Sequence, residues 1–270
     1  MENSAITIKK GLLQQKACGK TQKKKSDDEN ETASTQQGHD EQLKKEMAAR
    51  KPDDKKIFAL LKVSLQTRRK WIDGLAGKGT VKKVLKEYPG FRNYKQVMME
   101  NCLLTRCSQY KEAWRKQIPQ MWEFACRDCP DLLEDCPEEG MEAMDDDDKT
   151  AIICMSLPRA WGIKERLVHY IKDNINFEAF IKKLNSDCHL VAANDEDFPQ
   201  LFVIIDNEVV VKTDLHMDGL FSFFAVFQVF NLEYPQKLKL CFKFLEEYIF
   251  GIPQSRRPLA YTKGIDKLLA

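Results

Sequence analysis

Charge is sorted along this chain into two adjacent segments of opposite sign. Residues 55–127 carry 17 basic and 5 acidic side chains, a net charge of +12. Residues 128–148 carry 11 acidic side chains and no basic one. The near-neutral total of 43 basic and 41 acidic residues hides this separation. We therefore expect the acidic segment either to fold back over the basic one and mask it, or to steer a charged partner.

The composition is that of a globular protein. Of the 270 residues, 43% are hydrophobic and 31% are charged. These proportions exclude a collagen-like chain, a wholly disordered chain and a disulfide-stabilised miniprotein. The length allows one or two domains of roughly 100–150 residues each, enough for a sizeable core.

No part of the sequence resembles an export signal or a membrane span. The first 25 residues contain seven lysines and lack the apolar core of a signal peptide. The longest apolar run, Leu220 to Phe230, is shorter than the roughly 20 residues that cross a bilayer. Nine cysteines, an odd number without framework spacing, indicate reduced thiols. We expect a cytoplasmic or nuclear protein, or one found in both compartments, with no membrane contact.

Residues 1–54 are predicted to form a disordered polar tail. The segment is rich in Lys, Gln, Asp, Glu, Ser and Thr and has almost no aromatic residues. Such a stretch buries too little apolar area to offset the loss of chain entropy on folding. The run Lys23, Lys24 and Lys25 is either a nuclear-import signal or, as we favour, part of a solvated basic tail.

Residues 55–127 are predicted to be a basic helical module. Apolar residues recur there at helical spacing, first from Ile57 to Leu65 and later from Tyr110 to Ala125. Turn residues divide the helices at Gly74 to Gly79 and at Tyr88-Pro89-Gly90. Residues 128–148, which follow, are predicted to be an acidic linker.

Residues 149–254 are predicted to be a C-terminal module of helices and one β-hairpin, followed by a tail at 255–270. The β-branched runs 201–205 and 209–211 flank Asp206-Asn207-Glu208, a hairpin pattern. Helical spacing predicts helices over Glu165–Leu184, over about Leu215–Phe230, and from Leu238 until Gly251. The predicted fold class is therefore mainly α with a small β-hairpin (α+β), the basic helical module preceding the helix-plus-hairpin module.

Several motifs of the chain resemble a known family. Between Pro199 and Gly251 it reads LFVIIDNEVVVKT and then FFAVFQVFNLEYPQKLKLCFKFLEEYIFG, and upstream it reads RRKWI from Arg68 and VLKEYP from Val84. These motifs are similar to an uncharacterised group of animal proteins, abundant in fish, that resemble sterile alpha motif domain-containing protein 3. The shared positions are packing patterns, so the resemblance implies no catalytic or cofactor residue. No sterile alpha motif domain is recognisable, so its interaction role does not carry over.

The sequence lacks the constellations that catalysis or cofactor binding requires. Cys126 and Cys129 have zinc-ligand spacing, and Cys136 follows, but a structural site usually needs a second pair. The alternative is that Cys126 ends a helix and Cys129 begins a loop. No nucleophile elbow, dinucleotide-binding glycine turn, zinc-protease helix or kinase motif set is present. We expect no enzyme, no cofactor and no metal.

Two non-catalytic functions are favoured over a third class, an enzyme whose site is assembled from scattered residues, and the first of the two is preferred. The protein is predicted to act without catalysis, through contacts with an unknown protein partner. The alternative is a nuclear nucleic-acid-binding factor, with a possible mobile-element ancestry, whose basic helices neutralise phosphates. Its candidate residues all belong to the basic segment: Arg68, Arg69, Lys70, Lys82, Lys83, Lys86, Arg115 and Lys116. The sequence does not determine the oligomeric state.

Overall fold

The computed structural model describes residues 33–75, 79–134, 141, 143–171, 176–184, 188–194 and 199–270. Helices dominate them. The N-terminal helices are α1 Ala33–Met47, α2 Asp54–Val63, α3 Leu65–Asp73, α4 Thr80–Glu87, α5 Tyr94–Thr105 and α6 Tyr110–Asp128. The later helices are α7 Asp146–Ser156, α8 Phe177–Ile181, α9 His216–Val229, α10 Lys239–Phe244 and α11 Leu259–Leu268. Short 3₁₀ turns lie at Pro89–Arg92, Pro130–Leu132, Leu157–Trp161 and Gln236–Leu238, and a π-helical turn at Leu245–Ile249.

The strands are β1 Val168–Ile171, β2 Cys188–Asn194, β3 Pro199–Ile205 and β4 Glu208–Thr213. They form one sheet in the order β1-β2-β3-β4, in which β1 and β2 are parallel and the other neighbours antiparallel. The predicted hairpin is β3–β4, and its turn residues Asp206 and Asn207 have positive φ angles of 53° and 62°. Such angles suit the tight turns that match strand twist. The fold class, mainly α with a small β element, is confirmed.

The predicted helix over Glu165–Leu184 is wrong. The segment instead contains β1 and the short helix α8, with residues 172–175 outside the described chain. Its apolar residues fit a helical period, but β1 pairs with β2 from Val168↔Leu190 to Ile171↔Ala193. This pairing partner lies far along the chain, and no local pattern indicates it. Tertiary pairing therefore overrides the local helical preference.

Both ends of the described chain pack more extensively than the sequence indicates. Helix α1 falls inside the predicted tail 1–54, yet its Leu43 and Met47 are buried; residues 1–32 lie outside the described chain. Helix α11 falls inside the predicted tail 255–270, yet its Tyr261 and Leu268 are buried. Each short helix is polar on one side and contributes a few apolar side chains to a core that other segments build.

Helix α9 lies at the centre of the core. Nearly all of its residues are buried, as its mostly apolar sequence favours. Phe224 stacks on Phe250 with ring centroids 4.2 Å apart, and Phe227 meets Phe242 edge-on at 5.0 Å. One cluster of buried side chains runs from Leu43 in α1 to Leu268 in α11. The predicted helical module and the hairpin module therefore share a hydrophobic core.

The acidic segment 128–148 is partly helical within the described residues. Asp145 accepts hydrogen bonds from the backbone N–H groups of Asp147 and Asp148 and so caps α7. Three aspartates in the first turn of α7 favour the positive end of its dipole. None of the helices that the structure describes combines the length and the hydropathy needed to cross a membrane.

Candidate interaction surface

Arg68 is buried and belongs to the interior. Its Nε lies 3.0 Å from Glu100 Oε1 and its Nη2 lies 2.5 Å from Glu100 Oε2. It also donates to Ser64 Oγ at 2.7 Å and to the Leu61 carbonyl at 2.9 Å. Both members of the ion pair are fully buried. The structure therefore corrects the assignment of Arg68 as a phosphate contact, because no ligand can reach it.

Arg69 is directed at the end of α9. Its Nη1 donates to the carbonyl oxygens of Gln228 at 3.1 Å and Val229 at 2.8 Å, and its Nη2 pairs with Asp73 at 2.7 Å. These carbonyls belong to the last turn of α9, beyond the regular helical bonds, and the Gln228 carbonyl also accepts from Asn231 N at 3.3 Å. Arg69 is thus a capping residue from another helix, and its expected role on nucleic acid stays a prediction.

At the other end of α9, Asp147 occupies the corresponding position. Its Oδ2 accepts from His216 N at 2.9 Å and its Oδ1 from Met217 N at 2.9 Å, while Oδ2 also lies 3.2 Å from His216 Nδ1. Burial acts to raise the pKa of Asp147, but the hydrogen bonds from His216 and Met217 outweigh it and hold that pKa below its ordinary value. Asp147 is therefore a structural anion.

The expected masking of the basic segment is limited. In the described chain, two ion pairs join the segments: Arg115 with Asp146 at 3.3 Å, and Arg127 with its neighbour Asp128 at 2.8 Å. Asp131 instead pairs with Arg159, which lies outside the basic segment. Residues 135–140 and 142 lie outside the described residues.

The remaining candidate cations are divided among three helices, and Lys70 is exposed on α3. Lys82, Lys83 and Lys86 are on the exposed side of α4, and Lys82 lies 3.4 Å from Glu208 of β4. Lys116 is exposed on α6 beside Arg115. No described carboxylate lies within ion-pair distance of Lys83, Lys86 or Lys116. The structure therefore does not gather the eight predicted residues into one patch, because two of them point inward.

A different surface is exposed on α2 and α3. Three exposed apolar side chains lie there, Phe58 at 42%, Val63 at 45% and Trp71 at 37% exposure. The first two lie beside exposed lysines, and we call these five residues the basic stripe: Lys55, Phe58, Lys62, Val63 and Lys70. Val63 falls within the apolar run from Ile57 to Leu65, and neither Lys55 nor Phe58 is among the candidate residues predicted from the sequence. Helical spacing could have identified them, since Ile57, Leu60 and Leu61 form the buried side of α2.

The possible chemistry of the cysteines is also limited. Cys126 is exposed and Cys129 is buried, and burial raises the pKa of both thiols, which disfavours the thiolate that binds metal. Within the described ranges, which omit Cys136, no three His, Cys, Asp or Glu side chains are grouped to hold a metal ion. The pairing of Cys126 and Cys129 as zinc ligands therefore stays an untested hypothesis.

A charged groove of about 520 Å³ lies beside the first turn of α9. Its lining side chains already pair with one another: Lys111 lies 2.6 Å from Asp218, and Arg115 lies 3.3 Å from Asp146. The lining also includes Asp145 and Asp147, so four aspartates face two cations and the groove is acidic overall.

Comparison with known proteins identified two curated relatives. Over 229 residues the chain is 24% identical to sterile alpha motif domain-containing protein 3 of Mus musculus, covering 79% of this chain and 42% of the relative. It is also 24% identical over 225 residues to the Homo sapiens protein of the same name, covering 79% of this chain and 41% of that relative. The chain thus spans about two fifths of the length of these relatives.

No protein-family model matches the chain. No solved structure matches it either. The resemblance indicated by the motifs is confirmed: over most of its length the chain is similar to sterile alpha motif domain-containing protein 3, without a match to a sterile alpha motif family model.

Proposed function

We propose that this protein acts inside the cell, in the cytoplasm or nucleus, by binding another protein without catalysis, and that the basic stripe is the contact surface. The supporting observation is the exposure of Phe58 and Val63 in a chain whose other helices bury most of their large apolar side chains. Exposed apolar side chains next to charged ones are found at interaction sites.

The distant relatives give this proposal modest support. These relatives are named for a sterile alpha motif domain, but the chain covers only about two fifths of their length. We therefore base the proposal on the exposed surface. The motifs shared with the family concern packing, and no chemistry is transferred with them.

The test is proximity labelling in cells with a full-length double variant, Phe58→Ser with Val63→Ser. The matched control is Leu259→Ser, because Leu259 is 70% exposed and lies on α11, away from the stripe. Wild-type protein and control should label the same proteins, and the double variant should label them about tenfold less. The same proteins labelled equally by all three forms, or turnover of a small molecule by the pure protein, would contradict the proposal.

Nucleic-acid binding is a second candidate, which Lys83 and Lys86 favour because they are exposed on α4 without a described carboxylate partner. Binding to random duplex DNA should then weaken steeply with salt. Exchange of both lysines for Glu should abolish it, whereas Lys116→Glu on α6 should weaken it less. Absence of DNA binding by the wild type at low salt would eliminate this candidate.

A further inference from the structure

We propose that the basic stripe binds an acidic, amphipathic segment of its partner protein, an inference that rests on the proposed protein-binding function. Three features of the stripe support this proposal: its charge, its exposed apolar side chains and its length.

The charge of the stripe is uncompensated within the described chain. Lys55, Lys62 and Lys70 are exposed, and no described carboxylate lies within ion-pair distance of any of them. Other lysines nearby are paired, as Lys56 is with Glu46 at 2.6 Å. The three cations of the stripe therefore favour carboxylates supplied by a partner.

The carboxylates next to the stripe are already engaged. Asp53 accepts from the backbone N–H groups of Lys55 and Lys56 and caps α2. Asp54 lies 3.6 Å from Lys95, and Asp73 pairs with Arg69. Because these acids have other partners, the positive field of the stripe is directed outward.

The apolar side chains of the stripe favour a peptide over a nucleic acid as its ligand. By helical spacing, Phe58 lies at one edge of the lysines and Val63 at the other. A branched aliphatic side chain such as Val63 gains little from a phosphate backbone, which is recognised by cations and donors. Both side chains gain from burial against apolar groups, at about 25 cal/mol per Å². An acidic segment with apolar side chains fits both features.

The length of the stripe suits a helix or an extended segment. Within α2, from Lys55 to Val63, the helical rise of about 1.5 Å per residue gives roughly 12 Å, about two helical turns, and Lys70 follows on α3. Ser64 ends α2 and begins α3, and the backbone bond from Arg68 N to Ser64 O, 3.0 Å long, is the first bond of α3. On the buried side of the junction, Arg68 donates hydrogen bonds to Ser64 Oγ and to the Leu61 carbonyl. The surface is therefore already ordered before a partner binds, which lowers the entropic cost of binding.

The experiment uses the full chain and fluorescent synthetic peptides of about 20 residues, long enough to cover the stripe. One peptide carries Glu on one helical face and Leu on the other, a second replaces Leu by Ser, and a third replaces Glu by Lys. Fluorescence anisotropy should detect binding of the first peptide only, and added salt should weaken it. Lys62→Glu combined with Lys70→Glu should weaken binding by roughly tenfold. Lys116→Glu, on α6, should leave it unchanged.

The outcomes separate this inference from the proposed function. Failure of the acidic peptide to bind, or binding that is unaffected by the lysine reversals, overturns the inference. Preferential binding of a random DNA duplex through the same lysines overturns it in favour of nucleic acid. If cellular partners are lost with Phe58→Ser and Val63→Ser but persist with the lysine reversals, the protein-binding function stands and the acidic chemistry is wrong.

Discussion

Arg69 and Asp147 cap opposite ends of the same helix, although neither belongs to it. Arg69, from the basic segment, donates to the last-turn carbonyls of α9, and Asp147, from the acidic segment, accepts from its first N–H groups. Each charge lies at the end of the helix dipole that favours it. One residue from each of the two oppositely charged segments therefore stabilises the most buried helix of the core.

Loss of the arginine cap should destabilise the fold. Arg69→Met keeps an apolar stem but removes the side-chain donor from the carbonyls of Gln228 and Val229, of which Gln228 keeps its bond from Asn231 N. We therefore expect a loss of about 1–2 kcal/mol in the free energy of unfolding. Urea denaturation measures the change. The exposed neighbour Lys70 supplies the control, since Lys70→Met should change stability by about 0.5 kcal/mol or less. Equal effects of the two substitutions would disprove the capping role.

Breaking the buried ion pair should have a larger effect. Glu100→Gln leaves the Arg68 guanidinium charged, buried and uncompensated, with an expected cost of about 3–5 kcal/mol. Replacing both, as Arg68→Met with Glu100→Leu, should recover most of this loss because no charge remains buried. Lys95→Met, which removes an exposed ion pair with Asp54, should cost about 1 kcal/mol at most. A double variant that is less stable than Glu100→Gln in chemical denaturation would contradict this account.

Stability should fall between pH 6.5 and pH 4 because of His169. Burial, with a smaller contribution from His189, lowers the pKa of His169 to about 4. The unfolded chain, whose histidine keeps its ordinary pKa near 6.5, therefore binds a proton in this range that the folded chain does not. The expected loss is up to about 3 kcal/mol, reduced by solvent screening of a half-buried ring.

The measurement for His169 is the thermal midpoint as a function of pH. His169→Phe keeps an aromatic ring against His189, whose ring centroid lies 5.2 Å away. The variant should show a shallower decline than the wild type between pH 6.5 and 4, and a similar midpoint profile above pH 7. Superimposable profiles over the whole range would refute the assignment.

Packing of α11 should depend on Gly264. A Cβ atom built there would lie 2.0 Å from Trp161 Nε1, whose indole donates to the Tyr261 carbonyl. Gly264→Ala must displace this ring, and we expect a net loss of about 1–2 kcal/mol by thermal or urea unfolding. Gly38→Ala on α1 meets no atom within 4 Å and should be neutral or stabilise by up to about 1 kcal/mol. If both substitutions stabilise, the close packing of α11 is wrong.

Elements whose sequence pattern lies within a single segment were predictable from the sequence. The hairpin β3–β4 and helix α9 follow from β-branched runs, turn residues and a continuous apolar stretch, and the structure contains both. Features that need a distant partner were not predictable. Strand β1 requires β2 beside it, and the burial of α1 and α11 requires a core assembled from other segments.

In the candidate site, too, some features follow from local sequence and others depend on distant residues. Helical spacing could have placed Lys55, Phe58, Lys62 and Val63 outside and Ile57 and Leu61 inside, because the period is local. It could not distinguish Arg68 and Arg69 from Lys70, since all three are basic neighbours. Only the positions of Glu100 and of the end of α9 decide which of them is buried.

The sequence by itself determined the predominance of helix, the β3–β4 hairpin and the separation of charge into two segments, because each is a property of neighbouring residues. The tertiary structure alone decided where those charges act. It buries Arg68 against Glu100, assigns Arg69 and Asp147 to the two ends of α9, and leaves the lysines of the basic stripe facing outward. The physical reason is that the free energy of a charge depends on its surroundings, and distant parts of the chain supply them.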